Sequence, residues 1–337
     1  MRVDDDVHTS IETLEVIDAH AHLVRSIEEE AGYYLVPGRR NLNRYANPER
    51  VMQFMDSLGI SKLVFLVLIP RQYRAPLALK AKLNEFPEDQ RQEERKRIGE
   101  KMAPLMRTMN EWGCELGRRF PRLHPFVCVS DDLGDADDMV DEVVTTARQG
   151  AKGVKLHPGM FSFFPHDERY WPVYEKCQEL GLPIVADSGL WPTSPVLAAF
   201  PMPVVEKKHE APIDYGEPKN FANVLEAFPR LTLVLAHLGS AWWDERVELA
   251  QRYPNVFFDT SQGFSAVDML PVTPRRSLAE EDAARVLRKI GIERIMFGTD
   301  SPAVPAQPQL EQILRLPISD EEKRLLLSEN AKRILRL

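Results

Sequence analysis

Two kinds of segment alternate along the chain. Short apolar runs at 15–22, 62–69, 123–130, 153–158, 182–189, 231–239, 255–261 and 294–300 are dense in Val, Leu, Ile and Phe. They show little apolar–polar alternation, the pattern of strands buried on both faces. The stretches between them have helical spacing. Segments 48–60, 136–150 and 168–181 are amphipathic and run up to Gly59, Gly150 and Gly181, of which Gly150 and Gly181 read as C-caps. The helical stretches before the last three runs end in Pro or Gly directly ahead of the next run. A final helix closes the chain.

Strands that alternate with helices imply parallel pairing and right-handed crossovers. Eight such units predict an α/β fold closed into a (β/α)8 barrel, a TIM barrel. An open doubly wound sheet usually carries a Gly-rich phosphate turn after its first strand, and none follows run 15–22. Residues 1–337 read as a single barrel domain with two departures from the plain repeat. Segment 71–122 is a charged, mostly helical insertion after strand two. Segment 190–217 is a Pro-rich loop after strand five, and long loops in compact domains are often functional.

Composition narrows the function classes. A net charge of −8, with 28% charged and 44% hydrophobic residues, argues against a general nucleic-acid or membrane-surface binder. No apolar run approaches the length of a membrane span. The acidic start MRVDDDVHTS does not read as a secretory signal. Cys114, Cys128 and Cys177 are too few and too scattered for a disulfide framework, so a cytoplasmic setting is expected, with the thiols as small buried hydrophobes. A homodimer is compatible with all of this.

The chemically capable side chains gather at the C-terminal ends of the predicted strands, where catalytic groups of such barrels sit. These are Asp18, His20 and His22 on strand one, Lys155 and His157 on strand four, and Asp187 on strand five. His237, Asp259 and Asp300 end strands six, seven and eight. Four of the eight histidines fall in these few positions. Residues two apart on a strand share a face, so His20 and His22 can chelate one ion, and Asp300 can supply a carboxylate from across the mouth. Asp259 reads as a supporting carboxylate or a loop residue. Phe161, Phe163, Phe164, Trp191, Trp242 and Trp243 follow strands four to six and either line an apolar mouth, with Trp191 as the substrate-binding candidate, or pack loops. Arg71 and Arg74 read as a solvated loop or as a clamp for a substrate carboxylate.

Taken together, Asp18-Ala19-His20-Ala21-His22, GVKLHP, AHLG and FGTDSP resemble the amidohydrolase superfamily. The likeness is to its amidohydrolase-related branch, which holds metal-dependent hydrolases and proteins of the aminocarboxymuconate-semialdehyde decarboxylase type. It runs from about residue 15 to the end, including the closing SENAKRIL. The resemblance implies one divalent ion bound by His20, His22 and Asp300. It makes Asp300 a general base as well, and His237 the group that orients water or substrate. One position departs. Family members commonly place a ligand His at the end of strand five, and here Asp187 stands in that place. Asp187 is either a fourth ligand or a non-ligating carboxylate. A His2Asp2 set is more hospitable to Mn²⁺ or Mg²⁺ than His3Asp, although Zn²⁺ remains the first expectation. The lysine after strand four is carboxylated in some superfamily members. Lys155 reads instead as an anion-binding or structural lysine, and His157 as a substrate-facing group.

These residues predict a metal-dependent hydrolase of a small cyclic ester, amide or related carbonyl compound. Two alternatives stand beside it: a non-oxidative decarboxylase of an unsaturated or aromatic acid, and a non-catalytic ligand-binding barrel.

Overall fold

A computed structural model describes residues 14–26, 45–69, 79–80, 82–83, 86–189, 215–238, 242–264 and 278–337. All eight apolar runs contain strands. They are β1 (Val16–Ala21), β2 (Ile60–Leu66), β3 (Leu123–Cys128), β4 (Gly153–Leu156), β5 (Ile184–Ala186), β6 (Leu233–Leu235), β7 (Val256–Asp259) and β8 (Ile295–Met296). Each pairs in parallel with the next in chain order. The ring closes just beyond β8. Ala19 N–H donates to Phe297 O at 2.9 Å, Thr299 and Asp300 N–H both donate to His20 O at 3.1 and 2.7 Å, and Ala21 bridges to Ser301. The expected (β/α)8 barrel is therefore observed.

Helices α1 (Pro48–Ser57), α2 (Glu88–Arg119), α3 (Ala136–Gln149), α4 (Trp171–Leu180), α5 (Ala222–Ala227), α6 (Trp243–Arg252), α7 (Glu280–Ile290) and α8 (Ala306–Arg315) surround it. Their ends follow local chemistry. Asp135 accepts the amides of Asp137 and Asp138, and Asp138 reciprocates to the Asp135 amide, a capping box at the start of α3. Gly150 and Gly181, the expected C-caps of α3 and α4, take left-handed conformations with φ of 108° and 65°.

The charged insertion after strand two is helical, and it is also the crossover that returns the chain to β3. Ile98, Met102, Leu105, Met106, Met109 and Leu116 give α2 a buried stripe at helical spacing. Asn110 pins that face. Its side chain donates to Cys128 O at 2.9 Å and to Glu142 Oε1 at 2.8 Å, and accepts Cys128 N–H at 2.8 Å.

Two apolar clusters divide the core. The larger joins the outer faces of the strands to the helices and includes Leu63, Phe65, Ile184 and Leu233. The smaller holds the alternate residues Val64, Leu66, Val185, Val234 and Met296 with Ala331, Ile334 and Leu335 of the closing helix. Asn330 on that helix donates to the Ile292 and Ile295 carbonyls at 2.7 and 2.8 Å, which seats it at the start of β8. The opposite, C-terminal end of the barrel is left to the polar residues. The long loop 190–217 falls almost entirely outside the described residues, and Trp191, Arg71 and Arg74 lie outside them as well.

One buried cation holds the ends of β5 and β6. Arg246 on α6 is 0% exposed, and its Nη2 donates to the carbonyls of Ser188, His237 and Ala236 at 2.8, 3.2 and 3.3 Å and to Ser188 Oγ at 3.2 Å. These residues adjoin Asp187 and His237. Replacing Arg246 by Leu leaves buried carbonyls without a donor, at about 1–3 kcal/mol for each orphaned group. Thermal unfolding of Arg246→Leu is expected roughly 5 °C below the wild type.

Candidate active site

The candidate residues meet at the C-terminal mouth of the barrel, all of them buried: His20, His22, Lys155, His157, Asp187, His237, Asp259 and Asp300 are each 7% exposed or less. Apart from His20, Lys155 and Asp259, which lie within their strands, they stand one or more residues beyond a strand end. His237 and Asp300 adopt left-handed backbone conformations, φ 68° and 63°, which non-glycine residues hold only where their surroundings impose it.

Proton accounting determines what the two strand-one histidines present. His22 Nδ1 lies 2.9 Å from the Leu66 carbonyl, an acceptor only, so Nδ1 carries a proton, and Nε2 is the nitrogen whose lone pair a metal would take. That nitrogen faces Asp300 Oδ1 at 3.1 Å. His20 repeats the arrangement. Its Nδ1 lies 2.8 Å from Asp259 Oδ2, and its buried Nε2 has no hydrogen-bond partner among the described residues and lies 3.7 Å from Asp300 Oδ1. Burial pushes the His20 ring down to about 4, in spite of the Asp259 charge, so it is neutral at ordinary pH. Two lone pairs and a carboxylate thus converge, with the three atoms within 4.8 Å of one another. Acceptors brought face to face need a cation between them, and two imidazoles with a carboxylate are a suitable donor set for a divalent one. The residues fit a metal.

Asp300 and Asp259 are strong anions. Burial alone would raise both carboxyls. For Asp300 the neighbouring His22, His237 and His20 outweigh it, and for Asp259 so do His20, His237 and Ser261, holding both well below the usual carboxylate range. Gln262 Nε2 donates to the other Asp300 oxygen, Oδ2, at 3.1 Å. Asp259 is the supporting carboxylate of His20, one of the two roles its position suggested. Asp18 serves the closure. It accepts the amides of His20 and Thr299, each at 3.1 Å, and the Thr299 hydroxyl at 2.7 Å, while burial pushes its carboxyl up to about 7.

Asp187 stands apart from the convergent triad. Its Oδ2 lies 2.8 Å from His237 Nε2 and 3.3 Å from His157 Nε2. Against burial, these two rings hold its carboxyl well below the ordinary range. His157 Nδ1 accepts the Met160 amide at 3.2 Å, so its Nε2 is the nitrogen that carries the proton toward Asp187. Lys155, two residues before His157, is 1% exposed, and among the described residues its Nζ has no hydrogen-bond partner. It is near enough for its charge to lower the proton affinity of His20 and His157.

The aromatic candidates divide. Phe161 and Phe163 are buried, and Phe163 stacks on Tyr170 at 4.0 Å, so these two pack loops. Trp243 donates its indole N–H to Leu238 O at 2.8 Å. Sequence reasoning passed over Ser261 and Gln262. Ser261 had one available signal: it follows Asp259 by two positions and shares its side of the strand end.

An eight-stranded parallel barrel with a His/Asp triad that could hold a metal and further histidines at its C-terminal mouth has the arrangement of a metal-assisted barrel enzyme. The amidohydrolase family model matches residues 17–337, and the chain belongs to that family. No curated protein matches it. Among solved structures, it is similar to 2,6-dihydroxybenzoate decarboxylase from Rhizobium, at 16% identity over 96% of this chain and 99% of that one, TM-score 0.63. It is also similar to 5-carboxyvanillate decarboxylase from Novosphingobium aromaticivorans, complexed with manganese and 4-hydroxy-3-methoxy-5-nitrobenzoic acid, at 16% identity over 97% of each chain, TM-score 0.64. An uncharacterised TIM-barrel protein from Bordetella bronchiseptica matches at 18% identity over 96% of this chain and 99% of that one, TM-score 0.61. These likenesses agree with the barrel. Among the described residues, no helix is long and apolar enough to cross a membrane.

Metal should stabilise the fold measurably. An ion present at a thousand times its Kd adds about 4 kcal/mol, which appears as a higher Tm than that of chelator-treated protein. His22→Ala should abolish this rise. Gly298→Ala should reduce it, because a Cβ at Gly298 would sit 2.8 Å from the Cβ of His20 and displace that ring.

Proposed function

We propose that this protein is a metal-dependent, non-oxidative decarboxylase of a small aromatic or unsaturated acid. The observation that carries the reading is the buried, unpartnered ammonium of Lys155 beside the metal triad. An ammonium buried without an acceptor is costly, and a substrate carboxylate would supply the acceptor that the described residues do not. A neutral ester or amide offers no such complement. The decarboxylases among the similar structures support the same class.

On this reading His20, His22 and Asp300 hold one divalent ion, which supplies Lewis-acid polarisation of substrate oxygens. Two imidazoles favour Zn²⁺, while the carboxylate and the open positions also suit Mn²⁺, the ion bound by the similar 5-carboxyvanillate enzyme. Lys155 and His157 bind and orient the acid, and Trp191 is proposed to contribute to the same pocket. The bond between the carboxylate and its carbon breaks, its electron pair stays on that carbon, and carbon dioxide leaves. His237 then delivers a proton to the carbon from Nε2, the nitrogen that faces Asp187. Asp187, a candidate fourth ligand by position, has a different task in this proposal: it receives His157 and His237 and holds both rings over the substrate. Hydrolysis is the second reading, favoured by the amidohydrolase family match, with Asp300 as the base that takes a proton from water.

Product analysis distinguishes them. Zinc- and manganese-loaded protein should release carbon dioxide from a panel of hydroxybenzoic acids, with one solvent deuteron at the vacated carbon. Lys155→Met should raise KM by about 100-fold while metal content stays at the wild-type level. Turnover of neutral lactones or esters alone, with no carbon dioxide, would falsify the lyase reading.

The role given to Asp187 has its own check. Asp187→Ala should weaken metal binding by less than about tenfold, short of the roughly 10–100-fold of a residue that orients a ligand, and His22→Ala by much more. Equal losses in the two variants, measured by competition with a chromophoric chelator, would return Asp187 to the coordination shell.

A further inference from the structure

Ser261 lies two residues beyond Asp259, the last residue of β7, and is fully buried. Its Oγ touches both histidine systems. It lies 2.8 Å from His237 Nδ1 and 3.3 Å from His20 Nδ1, receives the His237 backbone N–H at 3.2 Å, and makes a short contact with Asp259 Oδ1.

A hydroxyl has one proton and two lone pairs. Asp259 accepts only, so the Ser261 proton goes to Oδ1. The His237 amide is shared, at 3.1 Å to Asp259 Oδ1 and at 3.2 Å to one of the serine's lone pairs. The other faces His237 Nδ1, which must therefore bring the proton of that contact. The ordering is the opposite of what a serine alone would impose, since a free hydroxyl could as readily donate to the ring.

We propose that Ser261 is a positioning residue that fixes His237 with a proton on Nδ1, and that Asp259 sets His20 and, through Ser261, His237 from one carboxylate. Asp259 Oδ2 takes the proton of His20 Nδ1 directly, and Oδ1 takes that of Ser261. A continuous chain of contacts then runs Asp187–His237–Ser261–Asp259–His20, from strand five to strand one. With Nδ1 occupied, Nε2 is the His237 nitrogen left to face Asp187 Oδ2. The inference concerns the site of the proposed decarboxylation, but its test uses no substrate, so either can fail without the other.

The test reads the ring nitrogens of zinc-loaded protein labelled with 15N-histidine, in long-range proton–nitrogen correlation spectra. The His237 signals are assigned by their loss in His237→Asn. In the wild type Nδ1 should show the shift of a protonated nitrogen. In Ser261→Ala it should show that of a bare nitrogen, with the proton on Nε2, and Ser261→Thr should restore the wild-type pattern. Zinc affinity should change by less than about threefold in Ser261→Ala and fall tenfold or more in Asp259→Asn, as for carboxylates that orient a metal-binding ring. A bare Nδ1 in the wild type, or the same Nδ1 state in the wild type and Ser261→Ala, overturns the proposal. An Asp259→Asn variant with unchanged affinity removes the coupling to His20. A tenfold loss in Ser261→Ala would make the hydroxyl a support of the metal ligand instead of His237, which also overturns it.

Discussion

The carbonyl oxygen of His20 accepts the amides of both Thr299 and Asp300, and this shared acceptor joins the first strand to the segment after the last. Everything in the site follows from that seam. Asp300 comes within reach of His20 and His22 because the barrel closes there, with Asp18 and Thr299 reinforcing the join from the side. Gly298 lets the two backbones approach, since its missing side chain is the space that His20 occupies. A closed ring of strands thus turns residues 278 positions apart in sequence into neighbours 3.1 Å apart.

Around that seam the site separates into two functional halves. One is the triad of candidate donors, His20 Nε2, His22 Nε2 and Asp300 Oδ1, each oriented by a contact on its far side: Asp259 for His20, the Leu66 carbonyl for His22 and Gln262 for Asp300. The other is the cluster of His157, Asp187 and His237, with the buried Lys155 near enough to act on it by its charge. The backbone of the second half is tied down by Arg246, which reaches the carbonyls on either side of the gap between β5 and β6. Ser261 is where the halves meet.

The strands and their catalytic ends were legible in the sequence for a simple reason. A strand buried on both faces leaves a dense apolar run, and the polar residues that break it mark the mouth. The His20–His22 spacing followed from strand alternation alone. The long helix α2 was visible as charge and helical spacing, but its service as the crossover into β3 rests on Asn110 reaching across to Cys128, a contact that no local pattern encodes. The surroundings of Asp187 were equally hidden, because they depend on rings delivered by the strands on both sides of it. A serine after a strand reads as an ordinary turn residue, so the spacing from Asp259 was the one sign of Ser261, and its contacts with His237, His20 and Asp259 emerge only in the folded barrel.

His237 and Asp300 share a further property. Among residues with a side chain, left-handed backbone is tolerated best by Asn, Asp and His, the types with short polar groups. At these two positions the main chain therefore selects for much the same residues as the chemistry does. Exchange among those types leaves the main chain undisturbed, while an aliphatic or β-branched newcomer strains it before any reaction is considered. The routes by which this mouth can acquire new chemistry are correspondingly narrow at strands six and eight. They are wider at strand five, where Asp187 has no such backbone constraint.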